Sequence, residues 1–379
     1  MLGTTNPSTE KIIKLFFEKI ADLELQPEFY KVITSSEIGQ EYKGNQPAFV
    51  LYFGNEEDHK DVDILDHLLK DGNIILPIFK KSFSKEIPKI LENQNGLLYD
   101  ESLDEKIVNL ILESFGKLRN SRKIFISYKR DESTSVAIQL YEALEKSNFD
   151  VFLDTHSIKQ GEPFQDELWH RMTDCDVIVI LNTLNFLTSQ WCEKEIAEAN
   201  VKQIGVLQLV WPSHTLEKMA QLCYPTLLKP ENFENNLFDN KDLSKLTSLT
   251  VKNIVQQVES IRARNLAARQ DNLITEFLNI ARKFGKQVNL QPERFITEDI
   301  ADQKRRIFIP SVGIPQSIDC NQSSELKKEI REYSVDEVYL IYDDVRIREK
   351  WLKHLRYLNE YLDVKTIKKQ EFDSWLQNN

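Results

Sequence analysis

The sequence predicts an α/β protein of several units, with a parallel sheet in the middle one. Three observations carry this prediction. Short apolar runs such as "KIFISY" (123–128) and "DVIVILN" (176–182) have strand length, and the second reads as a strong buried strand. Amphipathic helical stretches separate these runs, giving a βαβαβαβ series with short connections. The chain has 379 residues, 41% hydrophobic and 29% charged, which suits two or three globular domains.

At the N-terminal end, residues 8–35 read mainly as helix. Ser8 is the expected cap, and Ile12, Ile13, Leu15, Phe16, Phe17 and Ile20 lie on and around one face. "PAFVLYFG" (47–54) is a predicted strand, "DVDILDHLLKDG" (61–72) a helix closed by Gly72, "NIILPIF" (73–79) a second strand, and Lys85 to Leu91 a short helix. This small α/β unit carries no glycine-rich phosphate loop and no catalytic constellation.

The character changes near "GKLRNSRK" (116–123). After the strand at 123–128, Thr134 to Ser147 read as a helix, "FDVFLD" (149–154) as a strand, Gln165 to Met172 as a helix and 176–182 as a strand. Gln190 to about Lys202 read as a helix and "GVLQLVW" (205–211) as a strand. In such sheets ligands bind outside the carboxyl ends of the strands. From 236 to 290 the pattern is helical, as one long helix or a broken pair. "RRIFIP" (305–310), "DEVYLIYDD" (336–344) and "DVKTIKK" (363–369) then read as strands, with "IREKWLKHLRYLNEYL" (347–362) as an amphipathic helix. Of Asp343 and Asp344 at a strand end, one or the other is expected to cap the following helix, since no partner lysine or third carboxylate is visible. The expected boundaries are 1–118, 119–235, 236–295 and 296–379.

Composition narrows the functions. No apolar run reaches the roughly 18 residues that span a bilayer. The N-terminal residues lack the basic region, apolar core and small-residue cleavage site of a signal peptide. Cys175, Cys192, Cys223 and Cys320 form no CxxC pair and the six histidines no metal spacing, so neither a disulfide framework nor a metal site is expected and the compartment reads as cytoplasmic. A net charge of -11 argues against general nucleic-acid binding.

The middle unit resembles a TIR (Toll/interleukin-1 receptor) domain over roughly residues 119–235. The matching stretches are "KIFISYKRDE" (123–132), "FDVFLDTHSIKQGEPF" (149–164), "DCDVIVILN" (174–182) and "SQWCEKEI" (189–196). The resemblance implies a flavodoxin-like fold, flanked here by two smaller α/β units and a helical connector. It also implies one of two functions. Many TIR domains hydrolyse NAD+ at the nicotinamide–ribose bond, to ADP-ribose or a cyclic form; others act as adaptors that pair with further TIR domains. The hydrolases carry a glutamate in the helix after the third strand, which falls on Glu195. Bacterial multi-domain members often serve in antiphage defence, and activity usually needs TIR–TIR association.

The chemistry asks for such a residue. Cleaving an N-glycosidic bond builds positive charge on the ribose, which a carboxylate stabilises. Trp191 lies four residues before Glu195, so on a helix the two share a face and the indole can wall a pocket. At the first strand end, Tyr128, Lys129 and Arg130 are candidate substrate contacts, the cations suiting a pyrophosphate. Asp154 is a candidate pocket or loop-capping residue, and Phe164 a candidate for stacking on a ring. NAD+ is thus the expected substrate, with no cofactor and no metal. Each residue also has a plain structural alternative: Glu195, Lys129 and Arg130 as solvated charges, Trp191 and Phe164 as packing residues. Asn182 stands where many TIR domains have serine and is expected at the pocket rim.

Overall fold

A computed structural model describes the chain except residues 5, 24, 45–47, 116, 120, 154–163, 187–203, 217–223, 301–303 and 331–332; at 164–168 and 329 it describes the backbone alone. The chain divides into two compact units, Met1–Leu118 and Arg119–Asn379.

In the first unit, β1 (Leu2–Gly3), β2 (Phe49–Phe53), β3 (Ile74–Phe79) and β4 (Leu97–Leu98) lie side by side, all parallel. The first helix is shorter than predicted, Pro7–Asp22, and its cap is Asn6, whose side chain accepts from the Ser8 amide. The chain then makes a 3-10 turn at Pro27–Phe29, where proline cannot continue a helix. The predicted helix at 85–91 is two pieces, Phe83–Glu86 and Lys89–Leu91, parted by Pro88. At the carboxyl end of β3 the buried Glu86 carboxylate accepts from the backbone amides of Lys80, Lys81 and Ser82 at 2.8, 2.6 and 2.7 Å. The chain itself therefore fills the small anion-binding concavity formed there.

The second unit holds two sheets. One consists of β5 (Lys123–Ser127), β6 (Asp150–Leu153), β7 (Val177–Asn182), β8 (Gly205–Val210) and β9 (Tyr224–Leu227), all parallel in the order β6-β5-β7-β8-β9. Counted along the chain this is 2-1-3-4-5, the flavodoxin-like order. The edge strand β9 escaped prediction because "YPTL" contains Pro225, and proline is tolerated in a sheet only where a ladder donor is dispensable. One face packs on the helix Arg130–Lys146 and on Ile254, Val258 and Ile261. The other packs on Met172, Phe186 and the half-buried Trp169.

The second sheet runs in chain order: β10 (Val288–Leu290), β11 (Ile296–Asp299), β12 (Lys304–Ser311), β13 (Ser334–Tyr342) and β14 (Lys365–Lys368). β10, β11 and β12 are antiparallel; β12, β13 and β14 are parallel. This sheet begins at residue 288, inside the stretch read from sequence as helical. Asp343 and Asp344 do not cap the helix Glu349–Tyr361, whose N-cap is Arg348. Asp343 instead accepts from the Val345 amide (3.0 Å), and the buried Asp344 from Gln370 (3.2 Å). The intervening loop puts both aspartates too far before the helix to reach its first amides.

One unbroken helix, Ser248–Lys283, serves both sheets. Its cap is Thr247, which accepts from Thr250. Ile254, Val258 and Ile261 enter the core of the β5–β9 sheet; Leu273, Ile274, Phe277, Leu278 and Ala281 enter that of the β10–β14 sheet. At Gly205 a Cβ would meet Ile261, so the helix lies directly on the start of β8.

Charges complete the junction. The fully buried Arg262 donates to Asp176 (2.8 Å), which also takes the Arg119 Nε at 2.6 Å. Asp174 accepts from Arg119 (3.1 Å), from Lys123, and from the Ile314 amide (3.0 Å) in the loop after β12. Arg119 reaches the Val312 carbonyl in that loop at 2.9 Å. Between them Gly313 has φ +90°, and a Cβ there would run into Arg119 and Asp174, so glycine is required twice over.

Candidate functional site

In a 2-1-3-4-5 sheet the two strands at which the chain reverses its direction of winding are the first and third, here β5 and β7. Loops leaving their carboxyl ends diverge to opposite faces and open a crevice, the place where such sheets bind ligands. The residues bounding it are Tyr128–Arg130 after β5 and Thr183–Phe186 after β7.

A carboxylate that sequence reasoning passed over stitches these two loops. Glu132 accepts from the Asn185 side chain at 2.8 Å and from its backbone amide at 3.2 Å. The Lys129 ammonium lies 3.2 Å from Glu132 and donates to the Asn185 carbonyl at 3.3 Å. Burial pushes the Glu132 carboxyl up, but its hydrogen bonds and the lysine outweigh burial and hold it below the usual carboxylate range. At neutral pH it is an anion pinned to one crevice wall. The "KRDE" run was the only sequence signal for it.

The predicted site residues divide accordingly. Tyr128 is 6% exposed and lies in the core cluster beneath the helix Arg130–Lys146. Lys129 is the residue before that helix and is engaged by Glu132 and Asn185, while Arg130 is its exposed first residue. Asp154, Trp191 and Glu195 lie outside the described residues, as does the side chain of Phe164, whose backbone opens the helix Phe164–Thr173. The last described residue before Trp191 and Glu195 is Phe186 and the first after them is Ile204, both buried against the same sheet face.

That face carries an unusual polar pair. Asn182 is not at a rim: it is fully buried, and so is Gln208. The register pairs Ile180 with Gln208, so Asn182, two residues on, points to the same side as Gln208. Neither side-chain amide has a hydrogen-bond partner among the described residues. Buried amides nearly always have partners, so an unsatisfied pair marks either stored strain or a surface made for something else to meet. Gln208 was visible in sequence as the polar interruption of "GVLQLV".

The family model for the TIR domain matches residues 124–237. No curated protein matches the chain. With the parallel sheet and its 2-1-3-4-5 order, this match identifies residues 124–237 as a TIR domain.

Proposed function

We propose that the protein is an NAD+ hydrolase and that Glu195 is its catalytic carboxylate. The observation that carries the reading is the coincidence of a TIR domain with a glutamate in the stretch of sequence that follows β7, one of the two strands whose carboxyl ends border the crevice. The reaction breaks the bond between the ribose C1′ and the nicotinamide nitrogen. The electron pair leaves with nicotinamide, which becomes neutral and needs no general acid. Positive charge develops on the ribose, and a carboxylate in a partly dry site stabilises it. Water adds at C1′ and gives up a proton, yielding ADP-ribose; attack by the adenine ring of the same molecule yields a cyclic product instead. NAD+ is a substrate here, and no metal or other cofactor takes part.

Trp191, four residues before Glu195 in the sequence, is assigned as the wall of the pocket, and Asp154 and Phe164 are assigned as further substrate contacts. Arg130, exposed at the crevice mouth, and Lys129, which precedes it, are the candidates for the pyrophosphate. Self-association through the TIR domain is the proposed route to activity, consistent with a role in antiphage defence, and the flanking units are assigned to control of that association.

The test is release of nicotinamide from NAD+ by the full chain and by Glu195→Ala. The expected result is release by the first and a loss of at least a hundredfold in the second, with unchanged folding. Release unaffected by the substitution would move the chemistry elsewhere. No release from either, even at concentrations that force assembly, would make the domain an adaptor.

A further inference from the structure

A cavity lies far along the chain from Glu195. It measures about 550 Å³ and sits at the carboxyl ends of the three parallel strands β12, β13 and β14. Ser311 ends β12 and Val312 and Gly313 follow it, Asp343 follows β13 and Lys369 follows β14. The long helix supplies the opposite wall, including Arg269, Asn272, Glu276 and Asn279. This is the edge where parallel α/β sheets take ligands, and the size is that of a small-molecule site.

The charged lining is two cations, Arg269 and Lys369, and two anions, Glu276 and Asp343, and they are not all engaged alike. Lys369 is matched by Glu276 at 2.6 Å. Arg269 has no carboxylate partner among the described residues. Its guanidinium donates to two backbone carbonyls, Cys175 at 2.9 Å and Thr173 at 3.0 Å, which fixes its plane. Burial, helped by the neighbouring charge of Arg119, pushes its pKa down to about 10, so the cation is held at a cost in solvation. A planar, fixed guanidinium with donors to spare is suited to an oxyanion. Asp343 also faces the cavity, and its Oδ1 is held in place by the Val345 amide. With Asn272 and Asn279 it offers acceptors and donors for hydroxyl groups.

We propose that this cavity binds a small organic phosphate, a sugar phosphate or nucleoside monophosphate, with the phosphate on Arg269 and the hydroxyls on Asp343, Asn272 and Asn279. The site is independent of the hydrolase reading. It also has a route to the TIR sheet, because Arg269 grips the carbonyls of Thr173 and Cys175, immediately before β7, and the loop 312–314 is tied to Asp174. An occupant would tighten both.

The test is calorimetric titration of the full chain with ribose 5-phosphate, adenosine monophosphate, adenosine and inorganic phosphate. Arg269→Gln and Asn279→Leu are titrated beside it. The second variant keeps the proposal testable if the first unfolds, since Asn279 is exposed on the helix and lines only the cavity. The expected result is binding of at least one of the two organic phosphates. Adenosine and inorganic phosphate should each bind at least tenfold more weakly, and Asn279→Leu should weaken the organic phosphate at least tenfold. No binding of either phosphate at millimolar concentration would overturn the proposal. So would binding that both variants leave unchanged, which would place the ligand at the TIR crevice. Inorganic phosphate bound as tightly as ribose 5-phosphate would overturn the assignment of the hydroxyl contacts.

Discussion

Gln208 shows how much one side chain can say about a site. It sits fully buried in the middle of β8 with neither amide atom satisfied among the described residues. A buried amide without a partner costs roughly 1–3 kcal/mol. Exchange for an apolar residue of similar size removes that penalty and breaks no bond to a described residue. Gln208→Leu is therefore expected to raise the stability of the unit Arg119–Asn379 by about 1–2 kcal/mol in denaturant titration. A loss of stability would mean that the amide has a partner in the folded protein. The same scale shows what was legible in sequence. Tyr128, Lys129 and Arg130 are placed at the end of β5 as expected, because strand ends follow from apolar runs. Their surroundings were not legible. The stitch from Glu132 to Asn185 joins residues on separate loops, and Tyr128 points into the core because the chain turns at Lys129 into the helix. Local pattern carries no information about such long-range pairings.

At the scale of elements, the helix Ser248–Lys283 is the decisive piece. Its helical character was legible, its unity and its role were not. Ile254, Val258 and Ile261 follow a spacing of four and three; Leu273, Phe277 and Ala281 follow a spacing of four. Each set faces its own sheet, so the whole helix lacks one continuous apolar stripe and reads as a connector. Strand runs of β2, β3, β5, β7 and β8 were read correctly to within a residue or two, whereas β1, β4 and β9 are too short or carry proline. Because one helix completes two cores, its middle is the place to separate them. Ala268 is exposed there, between the two sets. Ala268→Pro removes a backbone hydrogen bond and crowds the preceding turn, costing about 3 kcal/mol. Ala268→Gly costs about 1 kcal/mol. By calorimetry the proline variant is expected to split the transition of the unit Arg119–Asn379 into two, and the glycine variant to shift it without splitting. A single shifted transition in the proline variant would show that the bonds of Arg119 and Asp174 to the loop after β12 are enough to couple the two cores without the intact helix.

At the scale of the whole molecule, the same junction makes stability depend on acid. Asp174 stands among Arg119, Lys123 and the Ile314 amide. Burial pushes its carboxyl up, but Arg119 and Lys123 outweigh burial, and the folded pKa lies below the ordinary value. A carboxyl whose folded pKa is lowered contributes fully above its unfolded pKa, about 3.9 for aspartate. That contribution is lost as the pH falls through the folded pKa. Protonation leaves Arg119 and Lys123 with one anion fewer at the point where the β12 loop meets the TIR sheet. The network therefore weakens below about pH 4 and not around neutrality. Asp174→Asn keeps the shape and removes the charge. At pH 7 this variant is expected to be about 3 kcal/mol less stable than the parent, the usual size for breaking one side of a buried pair. As the pH is lowered from 5 towards 2.5, the parent should lose stability faster and the two melting curves converge. A gap that stays constant over that range would show that Asp174 is held by its hydrogen bonds and not by its charge, and that the grip between the two sheets is insensitive to acid.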